Sequence, residues 1–128
     1  MPRSQIETAL EEAGRELQVR YGNGPIPRGE LVTHTVRLAR CSPSSVLPSD
    51  YAYNRVNCAA ESRVRPMFIR EGRGQYRFVG PDYAYSGPIL WQPAGEHERK
   101  VGNSVDGKAT FQRDPRLESS RFNEDSHL

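Results

Sequence analysis

This 128-residue sequence has little cysteine, little lysine and no long apolar run. The scarcity of cysteine and the lack of apolar runs each exclude a class of protein. The two cysteines form no CxxC pair, so neither a disulfide framework nor a structural zinc site is indicated. No apolar run approaches the roughly 20 residues that cross a bilayer, and the N-terminus lacks the apolar middle of a secretory signal. We therefore expect a cytoplasmic protein with no membrane partner, cofactor or metal.

The basic residues are almost all arginine, with only two lysines among the 18. Residues 37–77 contain eight arginines and three acidic residues, a net charge of +5, whereas the whole chain carries +2. The arginine fork suits phosphates and guanine edges, so this concentration indicates a polyanionic partner. A GC-rich genome explains the same ratio of arginine to lysine equally well.

Two helices are predicted near the N-terminus. Ile6, Leu10, Ala13 and Leu17 recur at helical spacing, behind a capping pattern that begins at Ser4. The segment RGELVTHTVRLAR has a second apolar stripe of the same period. The two helices are therefore expected to pack against each other.

The next segments predict a third helix and a hairpin. Ser49 is a suitable N-cap after Pro48, and Asp50 favours a first helical turn, so a helix is predicted over residues 49–57. In RPMFIREGRGQYRFVG, alternating aromatic and polar residues flank the sequence Gly-Arg-Gly around Arg73. This pattern predicts a β-hairpin with a basic tip.

After Gly80 the chain changes character. Gly-Pro pairs exclude a helix there, and Asp106-Gly107 is a strong two-residue hairpin turn. The last residues are polar and lack periodicity. We therefore expect a domain over residues 1–80, a β-rich appendage over 81–116 that packs on the hairpin, and a disordered tail over 117–128.

The order helix, helix, helix, hairpin resembles the winged helix-turn-helix family over about residues 4–80. The segments SPSSVLPSDYAYN and GPILWQP also look like small bacterial winged-helix domains that occur alone or joined to HNH and restriction-type nuclease modules. The resemblance implies an α+β winged helix with a small C-terminal β-appendage. It also implies reading of a specific or modified DNA site, with cleavage supplied by a separate nuclease partner. The apolar group Ile89, Leu90 and Trp91 is a candidate homodimer contact.

Duplex DNA is the partner that these residues suit. Asparagine pairs with adenine and arginine with guanine in the major groove, while serine hydroxyls donate to phosphates and a basic hairpin follows the backbone. The expected DNA-binding residues are Ser44, Ser45, Ser49, Tyr51, Tyr53, Asn54, Arg55, Asn57, Arg63, Arg65, Arg70, Arg73 and Arg77.

Two other functions fit the sequence less well. Winged helices also act as protein-docking modules without DNA contact, and this alternative requires that Tyr83, Tyr85 and Trp91 be exposed. An enzyme is not indicated, because no GxSxG, HExxH, P-loop or HNH pattern occurs. No catalytic residues are assigned.

Overall fold

The computed structural model describes residues 3–56, 65–93 and 95–112. The predicted tail over 117–128, Asn57 and Arg63 lie outside them. Two helices come first: α1 spans Arg3–Tyr21 and α2 spans Arg28–Ala39. Two 3-10 turns follow, Pro43–Ser45 and Pro48–Tyr51. Neither described helix has the length and apolarity needed to span a membrane.

The strands form two sheets. The first sheet contains β1 (Ile26–Pro27), β3 (Phe68–Gly72) and β4 (Gln75–Phe78), in the antiparallel order β1-β4-β3. The second contains β2 (Arg55–Val56), β5 (Gly87–Trp91), β6 (Arg99–Val105) and β7 (Lys108–Phe111), in the order β2-β5-β6-β7. Within it, β2 and β5 are parallel and the other pairs antiparallel.

Strand β3 lies between two hydrophobic cores. Phe68 is fully buried among residues of α1 and α2, such as Leu10 and Leu31. Its neighbour Ile69 packs into a second core, with Ile89 and Trp91 of the other sheet. Side chains alternate between the two faces of a strand, so consecutive residues of β3 reach different cores. The first sheet is therefore covered by helices on one face and by the second sheet on the other.

The predicted winged-helix fold is wrong. Both N-terminal helices and the hairpin around Arg73 are confirmed, but the third helix is not formed. In its place the chain makes the 3-10 turn Pro48–Tyr51, becomes extended at Ala52 and enters β2. The fold is a mixed α and β structure with seven described strands in two sheets.

The third helix is lost because the segment pairs with a strand instead. The N–H of Met67 donates to the carbonyl of Tyr51 at 2.8 Å, and the N–H of Tyr53 donates to the carbonyl of Phe68 at 2.8 Å. Ala52 also forms a parallel bridge with Phe68. An exposed strand edge offers unpaired backbone groups, and their pairing outweighs the local preference for a helix.

Candidate nucleic-acid interface

Asn54 joins the two sheets. Its Oδ1 accepts a hydrogen bond from the Arg70 N–H, and its Nδ2 donates to the Arg70 carbonyl, both at 2.9 Å. Its own backbone carbonyl accepts the N–H of Leu90 in β5 at 3.0 Å. The side-chain amide thus continues the pairing along β3 while the backbone turns toward the second sheet. These bonds occupy the groups that base reading requires.

The two tyrosines expected beside Asn54 are also structural. Tyr51 is buried in the core beneath the helices. Tyr53 is half-buried, and its hydroxyl donates to the carbonyl of Gly80 at 2.7 Å. Its ring packs against Tyr83 and Tyr85, with centroid distances of 5.8 and 6.2 Å. Tyr51 therefore stabilises the core beneath the helices, and Tyr53 stabilises the junction between the sheets.

Four of the expected arginines form ion pairs. Arg55 and Arg70 both contact Glu98, which precedes β6. Arg77 pairs with Glu71 at 2.8 Å. Arg65 reaches α1, where its guanidinium lies 3.2 Å from Glu11. Glu98 and Glu11, which lie outside the central segment, therefore pair with three of the arginines counted in its net charge.

Arg73 differs from these four residues. It lies at the tip of the β3–β4 hairpin, where it is exposed, and no described residue forms an ion pair with it. Gly74 follows it with φ +69°, a left-handed conformation that glycine adopts without strain. The turn therefore presents a free guanidinium to solvent, as the sequence predicts.

A second exposed basic region lies where α2 ends. We call it the 37–45 surface, and its members are Arg37, Arg40, Ser42, Ser44 and Ser45, all of them exposed. Neither arginine pairs with an acid among the residues that the structure describes. Ser49, in the next turn, is half-buried. The surface thus combines two free guanidinium groups with three hydroxyls.

Backbone geometry fixes the 37–45 surface. Arg40 ends α2 in a left-handed conformation, φ 55°, and its N–H donates to the Val36 carbonyl at 2.8 Å. The 3-10 turn then begins at Pro43, and the side chains of Val46 and Pro48 are fully buried behind it. Buried anchors therefore hold the backbone that carries the exposed side chains.

Arg37 and Arg40 were missing from the sequence-derived residues, although a signal was present. The sequence has no acidic residue between Glu30 and Asp50. An arginine far from acids along the chain has fewer local partners to neutralise it. Weighting each arginine by the acid-free length around it would have selected these two.

Burial shifts the pKa of two tyrosines at the sheet junction. Burial raises the pKa of Tyr53, and the negative charge of Asp82 adds to the effect, while a hydrogen bond and Arg65 oppose it. Burial also raises the pKa of Tyr85. Both groups are therefore neutral in the folded chain when free tyrosine begins to ionise near its ordinary value of 10.0.

These shifts predict a loss of stability in alkali. A group whose pKa is raised by folding contributes its full stability below the unfolded value and loses it as the pH climbs through the folded value. The free energy of unfolding should therefore fall as the pH rises above 10.0. Urea unfolding followed by Trp91 fluorescence at intervals from neutral pH upward measures this. A Tyr53→Phe chain should show a shallower decline, and an equal decline would contradict the assignment to Tyr53.

The described residues hold no group of three or more His, Cys, Asp and Glu side chains that could bind a metal ion. Among them, His34 Nε2 lies 2.6 Å from Glu16 Oε2, which ties α2 to α1. Cys41 is a free, half-buried thiol.

A family model described as a domain of unknown function, DUF7225, matches residues 9–111. The chain belongs to the DUF7225 family. The match begins in α1 and ends with β7, so the DUF7225 domain includes both sheets and the 37–45 surface. No curated protein and no solved structure matches the sequence.

Proposed function

We propose that this protein binds duplex DNA by contacting its phosphate backbone. The contacts are made by the 37–45 surface, and Arg73 adds a further one. The single observation that carries the proposal is the exposure of Arg37 and Arg40, to which no described acid is bonded. In this proposal the protein acts in the cytoplasm.

Phosphate contact suits the groups on this surface. Guanidinium groups bind phosphate oxygens through two parallel N–H bonds, and serine hydroxyls add single donors. Ser42 and Ser44 share a hydrogen bond between their Oγ atoms at 2.9 Å, so one hydroxyl donates to the other and the second is left to donate to a phosphate oxygen. The serine hydroxyls position the phosphate backbone of the DNA, and the arginines supply the positive charge that attracts it.

The proposal changes the role first expected of Asn54 and Arg55. The side chain of Asn54 is bonded to the Arg70 backbone, and the side chain of Arg55 to Glu98. Contacts to phosphate carry little sequence information of their own. We therefore expect affinity for many duplex sequences, with modest differences between them.

The protein-docking alternative receives less support. It requires an exposed aromatic surface made by Tyr83, Tyr85 and Trp91. Trp91 is 6% exposed and Tyr85 is 9% exposed, since both pack into the core between the sheets. Of the three, Tyr83 alone reaches solvent, at 40%. A single ring is a small anchor for a protein partner.

Binding of a fluorescent duplex, measured by anisotropy over a range of salt concentrations, tests the proposal. Three arginine contacts predict a slope of about −2.7 in a plot of log affinity against log salt, since each phosphate contributes roughly −0.9. Affinity should then fall roughly 40-fold between about 50 and 200 mM salt. A duplex pool with methylated sites, tested beside the unmodified pool, shows whether modification is recognised.

Two matched double variants distinguish binding by the 37–45 surface from a general effect of positive charge on the protein. Arg37→Gln with Arg40→Gln should weaken binding to all duplexes and reduce the salt slope by about 2. Lys100→Gln with Lys108→Gln removes the same charge from exposed positions of the second sheet and should leave the slope near its original value. Equal losses in both double variants, or no binding at low salt, would overturn the proposal.

A further inference from the structure

A cleft lies between the start of α1 and the end of α2. Its volume is about 460 Å³. Sites for small organic ligands commonly occupy roughly 300–1,000 Å³, so the cleft is large enough for such a ligand. The described residues that line it are Gln5, Thr8, Ala9 and Glu12 of α1 and Leu38 and Ala39 of α2.

Small side chains keep this cleft open. Ala9 is buried and Ala39 is half-buried, so each helix carries a methyl group where a larger side chain would fill the space. Leu38 supplies a further apolar wall, and 40% of it is exposed. Covering an exposed leucine with an apolar group is favourable, because apolar surface is removed from water. The interior of the cleft therefore favours a hydrocarbon group.

The rim of the cleft is polar and acidic. Gln5, Thr8 and Glu12 are exposed, and their spacing along α1 places them on one face of the helix. Glu12 carries the one charge among the described lining residues, and no described residue forms an ion pair with it. One turn further along α1, Glu16 is instead bonded to His34. The rim therefore offers a carboxylate that is available to a cation.

We propose that this cleft binds a small aliphatic amine, with its ammonium group at Glu12 and its hydrocarbon stem against Leu38. An ammonium group has three N–H donors, and the side-chain oxygens of Gln5, Thr8 and Glu12 are acceptors for them. The carboxylate repels anions, so the ligand of the cleft differs in class from the phosphates proposed for the neighbouring 37–45 surface. The inference does not rest on duplex binding, and its test contains no DNA.

The test is NMR of the full chain labelled with ¹³C at alanine and leucine methyl groups. Butylamine, added near neutral pH at constant ionic strength, should shift the Ala9, Leu38 and Ala39 signals in a saturable way, with half-saturation in the millimolar range expected of so small a ligand. Ammonium chloride has the charge without the stem, and butan-1-ol has the stem without the charge. Each should bind at least about tenfold more weakly. No saturable shift with butylamine, or equal binding of butan-1-ol, would overturn the proposal.

A blocked lysine, Nα-acetyl-lysine N-methylamide, is titrated in parallel, because a lysine side chain of a partner protein has the same ammonium group and a similar stem. Butylamine should bind at least as tightly as the blocked lysine. Clearly tighter binding of the blocked lysine would assign the cleft to a protein side chain and overturn the proposal of a small ligand.

Three variants give the cleft its controls. Glu12→Gln keeps the size of the side chain but removes its charge, and should weaken butylamine binding about tenfold. Glu30→Gln removes the same charge from an exposed position in the first turn of α2 and should leave binding unchanged. Ala39→Leu fills the cleft and should abolish the saturable shift. Equal binding by the Glu12→Gln and Glu30→Gln chains would overturn the proposal, and this result remains readable even if the Ala39→Leu chain does not fold.

Discussion

Replacing Asn54 by alanine should lower the free energy of unfolding by about 3 kcal/mol, because two hydrogen bonds are lost and both backbone groups of Arg70 are left unpaired. Each unpaired half-buried group costs about 1–3 kcal/mol. The midpoint of thermal unfolding should fall on the order of 10 °C. Circular dichroism and Trp91 fluorescence measure the change, and exchange of the Arg70 amide hydrogen locates it.

The variant Asn54→Asp tests the hydrogen bond that Asn54 Nδ2 donates to the Arg70 carbonyl. In Asn54→Asp one oxygen can still accept the Arg70 N–H, but the other faces the Arg70 carbonyl, so stability should fall at least as far as with alanine. Asn103→Ala is the matched control, since Asn103 is half-buried in β6 and no described residue bonds its side chain. It should cost under about 1 kcal/mol. A stable Asn54→Ala chain with altered duplex preference would restore the base-reading role.

Local patterns predicted the parts of the fold that depend on near neighbours. Ile6, Leu10, Ala13 and Leu17 are all buried, as the helical spacing of the first segment indicates. The hairpin around Arg73 also forms where alternating aromatics and paired glycines predict it. Helix periodicity and tight-turn chemistry act over a few residues, so the sequence alone determines them.

The error in residues 49–57 has a different cause. Ser49 and Asp50 are good helix-starting residues, but the groups that hold this segment extended are in β3, and Asn54 bonds a residue 16 positions away. A helix of a few turns is only marginally stable by itself. A strand edge that supplies backbone partners at Phe68 and Arg70 therefore determines the conformation, and local propensity does not reveal it.

Prediction of the candidate site from the sequence was limited in the same way. Net charge over residues 37–77 counts Arg55 and Arg65 as free, yet Glu98 and Glu11, which bond their guanidinium groups, are 43 and 54 positions distant. Arg73 lies in the hairpin turn, where it is exposed and no described residue forms an ion pair with it. Charge composition thus predicts a polyanionic ligand, whereas the identity of the arginines that carry no acidic partner depends on tertiary pairing.

A side chain added at Gly14 should lower the free energy of unfolding about as much as Asn54→Ala does. A Cβ at this position would lie 2.5 Å from Phe78 Cδ1 and 3.1 Å from two atoms of Phe68. Phe68 is fully buried and its ring meets Phe78 edge-on, with centroids 5.6 Å apart, so neither ring can retreat freely. Gly14→Val should therefore lower the free energy of unfolding by about 3 kcal/mol, measured by urea titration.

A double-mutant cycle shows whether the clash is the cause. In a Phe78→Ala background, Gly14→Val should cost at least about 1 kcal/mol less, because the closest contact has been removed. Gly29→Ala is the matched control: Gly29 is exposed in α2 with nothing within 4 Å of an added Cβ, so helix propensity should raise stability by about 0.5 kcal/mol. Equal costs of Gly14→Val in both backgrounds would show that α1 does not pack on the β3–β4 hairpin through these rings.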